Sequence, residues 1–491
     1  MEAARASQTT ANPGVAAKIS IGLALLAGAV LRVWMLRKFF EVNGDSELYG
    51  GMAKNLLLHG RYALTDPVGG IHETLIRLPG YPLFLAACFR LFGMENYYAA
   101  ACVQILLALV ACGLVARFVY RIFPAGHKMA AAQATLWLAA LCPFTAIYDA
   151  QPLTESLSIF CIALALWSAA RFQDRRDWSS AIAFTFAVTF SAFLRPDGAL
   201  VGVALAPALF LNHAGTMGVA RAKGFPFQRK HLRIALVCLL LAVAPFNVWT
   251  WRNWEVFHVF QPLAPRYATD PGEDTWPGFQ RWVKTWCLDF VSTYQFYWNV
   301  PAGQIDLGVL PHRAFDSLSE YAETAGVFAA YEANGEELSP TIDDRFARLA
   351  ANRIAAHPLR YYVILPVGRV ADMWLRPRVE NLPIDLDWWV YRHHHVETRF
   401  SWFYAGLNGV YLLLAVIGLR LHPRLWAGML AYMVLRSALL ATIEAPEARY
   451  TIECFPMLFA LGGIVLGRCI ANSLGFFYKI LPRKSLQLPP D

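Results

Sequence analysis

Apolar runs of bilayer-crossing length recur along this chain, separated by short polar connectors, and that alternation predicts its architecture. Ten runs read as spans: about Ile19–Trp34, Ala99–Val119, Met129–Ile147, Thr154–Ala170, Ala181–Leu194, Ala199–Leu211, Ile234–Trp251, Trp402–Leu419, Leu425–Ile443 and Ile452–Leu466. A crossing helix needs roughly 17–25 mostly apolar residues, so the expected class is an all-α integral membrane protein. The fifth and sixth runs flank Arg195-Pro196-Asp197-Gly198 and read as a hairpin with a Pro/Gly turn.

Charge orients the spans. Arg117, Arg121 and Lys128, then Arg171, Arg175 and Arg176, then the connector Arg221, Lys223, Arg229, Lys230 and Arg233 fall on one side. Arg420 and Arg424 and the tail residues Lys479, Arg483 and Lys484 join them, with Arg37 and Lys38 against the trend. By the positive-inside rule that side is cytoplasmic. Ten spans with both termini in the cytoplasm break the rule least, and the expected location is the plasma (inner) membrane.

Residues 251–400 are different material. Gly/Pro turns, an acidic excess and many tryptophans predict an external, periplasmic-side mixed domain. Within it, His357–Trp374 has its apolar face broken by Arg360 and Arg369, with Arg376 just beyond, which favours an interfacial helix over a span. The organisation expected is a transmembrane catalytic module at 1–250 with its first outer loop at 39–82, the external domain at 251–400, and C-terminal spans with a basic tail at 401–491.

Composition narrows the function classes. With 57% hydrophobic and 16% charged residues, the chain is not an ordinary soluble protein. The net charge of +8 sits in short loops between apolar runs, so no nucleic-acid partner is expected. The nine cysteines include no Cys-x-x-Cys pair, and five lie inside apolar runs as small hydrophobes. His393-His394-His395 resembles a metal cluster by composition only, because adjacent residues do not share a helix face; no metal site is assigned.

The stretch that looks like chemistry is Gly44–Pro82. It opens on Asp45 and Glu47, continues as a short amphipathic helix (Tyr49, Met52, Ala53, Leu56, Leu57) stopped at Gly60, and closes with Arg77 and Pro79-Gly80-Tyr81-Pro82. Leu83–Phe92 is expected to lie against or dip into the membrane. On the predicted topology Asp45, Glu47, Arg77, Asp149, Glu155, Arg195, Asp197, Glu444, Glu447, Arg449 and Tyr450 all fall at outer span ends or in outer loops. Carboxylates suit a base for an acceptor hydroxyl or amine, and arginines suit a phosphate. Plainer roles are open to each. Asp45 and Glu47 can cap the helix that follows, Glu155 can simply start a span, Arg77 can anchor at headgroups, Arg195 can pair with Asp197, and Arg449-Tyr450 can be an interfacial anchor.

Several motifs together resemble a family. Asp45-Ser46-Glu47-Leu48-Tyr49 with Asn55-Leu56-Leu57 and Gly60 is similar to the first outer loop of GT-C membrane glycosyltransferases. The nearest type is the protein O-mannosyltransferase-like group (glycosyltransferase family 39), with the aminoarabinose and RgtA/B/C/D-like sugar transferases. Arg77-Leu78-Pro79-Gly80-Tyr81-Pro82, Leu153-Thr154-Glu155-Ser156-Leu157, Leu194-Arg195-Pro196-Asp197-Gly198 and Glu447-Ala448-Arg449-Tyr450 with Pro456 follow in the family's order.

The resemblance implies a polyprenyl-phosphate-linked sugar donor, a lipid, glycan or protein acceptor, and inverting transfer on the outer face. It implies Asp45 as the base or acceptor-orienting acid, with Glu155 assisting and Glu47 a further catalytic candidate. Arg77, Arg195, Arg449 and Tyr450 would bind the donor phosphate. Two departures stand out. Ser46 separates acids that are adjacent in many members, and Ile76-Arg77 keeps the positive charge of an acid-Lys pair while losing its acid. Membrane lipids are partners by location, and a divalent cation is left open as a cofactor. The rival readings are a transporter or lipid flippase, which wants ionisable sites near mid-membrane, and a non-catalytic assembly protein built on the external domain.

Overall fold

A computed structural model describes residues 14–480 except 125, 211–228, 302, 386–388 and 390–393. Arg221 and Lys223 of the basic connector, His393, and Arg483 and Lys484 of the tail lie outside the described residues.

Helix α1 (Val15–Phe39) is followed by α2 (Asp45–His59), which buries Tyr49, Met52 and Ala53 at helical spacing. It ends where Gly60, at φ +67°, takes the left-handed conformation and donates its N–H to the Leu56 carbonyl at 3.1 Å. A hairpin of β1 (Ala63–Thr65) and β2 (Ile71–Glu73) comes next, with Ala63 opposite Glu73 and Thr65 opposite Ile71. These are the only strands among the described residues. Each is three residues long, too short for an alternating pattern to be legible. Helix α3 (Gly80–Phe92) then packs beside α2 around Tyr49, Ala53, Tyr81 and Leu85.

The bundle continues through α4 (Tyr97–Ile122), α5 (Lys128–Ala140), α6 (Pro143–Asp149), α7 (Glu155–Arg175), α8 (Trp178–Leu194), α9 (Leu200–Phe210) and α10 (Arg229–Phe257). Side-chain caps fix the helix starts: Asn96 accepts from the Ala99 N–H at 3.0 Å, and Asp177 from the Ser180 N–H at 2.8 Å. The run Met129–Ile147, expected as one span, is broken instead. Pro143 has no N–H to continue the ladder, and α5 and α6 meet at 55°.

The break frees carbonyls at the end of α5 inside the bundle, where they need a donor. Arg32 of α1 supplies it, donating to the Ala140 carbonyl at 2.7 Å. Its Nε donates to Asp149 at 2.8 Å, and the Ser156 hydroxyl donates to the other Asp149 oxygen at 2.7 Å. Asp149, expected at the outer rim, is therefore buried as the counter-ion of a structural arginine.

Helices α11 (Pro277–Lys284), α12 (Phe290–Gln295), α13 (Leu318–Ala333) and α14 (Pro340–Ala356) enclose a second apolar core built on Phe279, Trp282, Trp286, Phe296, Phe328 and Phe346. This segment, expected to be mixed, is helical and irregular among its described residues. Helix α15 (Leu365–Leu375) follows a π-helical turn at Arg360–Ile364. The arginines that argued for an interfacial helix are all engaged: Arg360 with Asp316 at 2.6 Å, Arg369 with the Cys287 carbonyl at 2.9 Å, and Arg376 with Glu380 at 2.8 Å. Helices α16 (His395–Arg420), α17 (Trp426–Leu440) and α18 (Phe455–Ile480), the last entered through a 3₁₀ turn at Ala448–Cys454, finish the bundle. The expected boundaries at 250 and 400 both fall inside helices, α10 and α16.

Among the described residues, six helical stretches are long and apolar enough to cross a bilayer: α1, α4, α7, α10, α16, and α18 with the turn that leads into it. The bent pair α5–α6 makes a seventh. The other three expected spans, α8, α9 and α17, have 17, 11 and 15 residues. The protein is an integral membrane protein.

Candidate active site

Asp45 is the first residue of α2, so its carboxylate lies where the helix presents free N–H groups and the positive end of its dipole. The loop carrying Arg77 is fixed from α10. Arg252 donates to the carbonyls of Thr74 and Tyr62, both at 2.7 Å, and the Tyr62 hydroxyl donates to the Arg77 carbonyl at 3.1 Å. Arg77 then reaches Asp45 Oδ1 at 2.9 Å. The other carboxylate oxygen is 3.3 Å from Arg449, which the 3₁₀ turn before α18 delivers from the far end of the chain. Burial works against the Asp45 anion, but Arg449 and Arg77 outweigh it and hold the carboxyl below its ordinary value. Burial likewise opposes the Arg77 cation, and Asp45 raises it.

A continuous chain of contacts joins Asp45 to the other predicted residues. The Arg449 Nε lies 2.6 Å from Glu447, whose other oxygen accepts the Tyr450 hydroxyl. The Tyr450 ring takes two guanidinium groups, Arg449 at 5.5 Å and Arg195 at 5.1 Å from its centroid. Arg195 in turn meets Glu155 at 3.4 Å and Asp197 at 3.4 Å. Its turn closes tightly: a Cβ on Gly198 would stand 2.2 Å from the Ser191 carbonyl oxygen. Asp45, Arg77, Arg449 and Tyr450 line an open cavity of about 900 Å³. Glu155 is buried against Arg195, and neither is among the lining residues. Glu47 is exposed, lies off the cavity wall, and has no ion pair among the described residues.

Sequence reasoning passed over Arg436 and Glu453. Both are fully buried; Arg436 Nη1 is 2.9 Å from Asp197 and 2.7 Å from Glu453, and its Nε donates to the Tyr450 carbonyl at 2.6 Å. Arg436 thus fixes both the Arg195 turn and the backbone beside Arg449. The signal was an arginine within the apolar run Leu425–Ile443 and an acid at the start of the next, positions where a charge is costly unless engaged.

Three possible cation ligands gather elsewhere. His394 Nδ1 lies 3.5 Å from Asp385 and 3.6 Å from Glu397, three residues further on. At the Asp45 cavity, Asp45, Glu447 and Glu380 are instead paired with arginines.

Residues 77–249 match a family model described as dolichyl-phosphate-mannose-protein mannosyltransferase. Over its whole length the chain is similar to the oligosaccharyltransferase AglB of Archaeoglobus fulgidus, solved with an inhibitory peptide and a dolichol-phosphate. The TM-score is 0.50 at 10% identity, covering 97% of this chain and 52% of that one. The chain has the GT-C fold. A second structure of the Archaeoglobus fulgidus oligosaccharyltransferase, tethered to an acceptor peptide, gives TM-score 0.49 at 13% identity over 96% and 51% of the two chains. ArnT from Cupriavidus metallidurans, bound to undecaprenyl phosphate, gives 0.35 at 16% identity over 96% and 81%. The chain spans about half the length of the archaeal enzymes it matches. No curated protein matches it. In this fold the matched segment runs from Arg77 into α10, so the 3₁₀ turn with Arg449 reaches the cavity from outside it.

Proposed function

We propose that this chain is a membrane glycosyltransferase that moves a sugar from a polyprenyl-phosphate carrier to an acceptor at the outer face of the plasma (inner) membrane. Both termini are then cytoplasmic, residues 1–250 and 401–491 form the catalytic membrane module, and 251–400 lie outside. The observation that carries the reading is Asp45 held between Arg77 and Arg449 on the wall of a water-open cavity.

That arrangement suits a resting state in which Asp45 occupies the place of a phosphate. The donor's phosphodiester competes for the same arginines, whose forked donors fit phosphate oxygens. Once Arg449 turns to phosphate, Asp45 loses a cation that depresses its proton affinity and becomes the stronger base. It takes the proton from the acceptor hydroxyl or amine as the acceptor oxygen or nitrogen bonds to the anomeric carbon. The carbon–oxygen bond to phosphate breaks, and its electron pair leaves with the polyprenyl phosphate, whose added charge Arg77 and Arg449 stabilise. Attack opposite the leaving phosphate inverts the anomeric centre. Arg195, set by Glu155, Asp197 and Glu453, supports Tyr450 beside this centre.

The test is reconstitution of the full chain in liposomes with a labelled polyprenyl-phosphate sugar and an external acceptor mixture. Expected is a labelled acceptor together with free polyprenyl phosphate. Movement of the intact donor across the bilayer, with no covalent product, would instead establish a transporter.

A further inference from the structure

Of the aromatic side chains that line the same cavity as Asp45 and that the proposed chemistry does not use, three form a cluster: Phe290, Tyr294 and Trp298. They touch one another, with ring centroids 6.0 Å apart for Phe290–Tyr294, 5.7 Å for Phe290–Trp298 and 5.6 Å for Tyr294–Trp298. Phe290 is 5% exposed and has the Arg376 guanidinium 5.2 Å from its centroid, whereas Tyr294 is 51% and Trp298 47% exposed. One buried ring therefore fixes two open ones.

Their support is rigid and tied to the phosphate end of the cavity. Asp289 caps α12 by accepting from the Ser292 N–H at 2.9 Å, and it pairs with Arg313 at 2.6 Å. The Thr293 hydroxyl donates to the Pro446 carbonyl at 3.3 Å, next to the Glu447–Arg449 segment. The two open rings are thus held at a set distance from the arginine that faces Asp45.

The rest of the lining says what covers them. Among Phe39, Phe40, Leu153 and Leu382, the wall carries the amides of Asn43, Gln151 and Asn381 and the carboxylates of Glu41 and Glu380. A lipid tail would ask for an unbroken apolar wall. A sugar ring offers a C–H face for the electron-rich face of an aromatic ring and a rim of hydroxyls for amides and carboxylates. At about 900 Å³ the cavity is large for a single ligand, leaving room for a donor sugar and an acceptor together.

We infer that Tyr294 and Trp298 form an acceptor subsite that stacks a saccharide ring, so the acceptor is a glycan or a sugar-bearing lipid. The inference rests on the glycosyltransferase reading and deepens it by naming the acceptor class. Because both rings are exposed, their removal leaves the cores intact.

The experiment uses the purified full chain in nanodiscs, with two kinds of probe. Mannotriose, chitotriose, galactotriose and a Ser/Thr-rich heptapeptide are titrated by saturation-transfer NMR, and undecaprenyl phosphate separately. Expected is binding of at least one trisaccharide, weakened about 3- to 10-fold in each of Tyr294→Ala and Trp298→Ala, with undecaprenyl phosphate binding and the melting temperature unchanged. A wild-type protein that binds undecaprenyl phosphate but no trisaccharide overturns the inference and leaves the donor reading standing. So do variants that lose only peptide binding. Trisaccharide binding that needs both rings, without undecaprenyl phosphate binding, supports the subsite and tells against the donor reading.

Discussion

Arg449 and Asp45 stand 404 positions apart in the chain, and their side chains meet at 3.3 Å. The contact joins the start of α2 to the turn before α18 on the wall of the cavity. It also couples the group proposed to bind phosphate to the group proposed to take a proton.

Replacing Arg449 with Ala removes the proposed charge-assisted contact to phosphate and leaves Glu447 without its guanidinium partner. Binding of undecaprenyl phosphate is expected to fall about 10- to 100-fold, the range for a hydrogen bond to a charged group. Arg449→Lys restores it only in part, because an ammonium cannot supply the fork. Isothermal titration on matched preparations checks both.

Arg436→Leu takes the closer of two shared cations from Asp197 and Glu453, leaving them Arg195 at 3.4 and 3.7 Å. Breaking a buried ion cluster from one side costs about 3–5 kcal/mol, read as a large fall in the midpoint of denaturant unfolding in detergent. Arg436→Leu combined with Asp197→Asn and Glu453→Gln is expected to recover part of that stability while transfer stays impaired, because the backbone beside Arg449 has lost its support.

How far the sequence foretold this arrangement depends on the kind of signal. Span periodicity and loop charge are long-range averages, so α4, α7, α10, α16 and α18 were readable as apolar runs. Asp45, Arg77, Arg195 and Arg449 stood beside those runs with recognisable neighbours. What stayed hidden depends on partners far away in the chain. Arg32 looks like a flaw in α1 until the Pro143 break gives it carbonyls to cap. Asp149 looks like a rim acid until Arg32 claims it, and Arg436 gains its meaning only from Asp197 and Glu453.

The Arg32–Asp149 pair yields its own expectation. Arg32→Ala leaves a buried carboxylate and uncapped carbonyls together, costing about 3–5 kcal/mol. Arg32→Met with Asp149→Leu removes the charges on both sides and is expected to be less damaging than either single change. The carbonyl at Ala140 still loses its donor, so recovery is incomplete. Thermal unfolding of the three variants decides it.

The pH dependence follows from the Asp45 shift. Its folded value lies below the ordinary carboxylate value, so the stability it contributes is complete above the unfolded value of about 3.9 and is lost as pH falls through the folded value. In the free enzyme the acid limb of kcat/KM is accordingly expected below the usual carboxylate range. In the donor complex Arg449 is diverted to phosphate, so the acid limb of kcat is expected at higher pH than that of kcat/KM. Coincident limbs in the two profiles would show that phosphate does not displace Asp45.

The most direct measurement compares Asp45→Asn with the wild-type chain at matched expression, recording sugar transfer and undecaprenyl phosphate binding on the same preparation. Transfer is expected to fall at least about 100-fold, the lower end of what a positioned base contributes. Phosphate binding is expected to hold or tighten, because the competing carboxylate is gone. Undiminished transfer by Asp45→Asn, or phosphate binding lost along with it, would contradict the account.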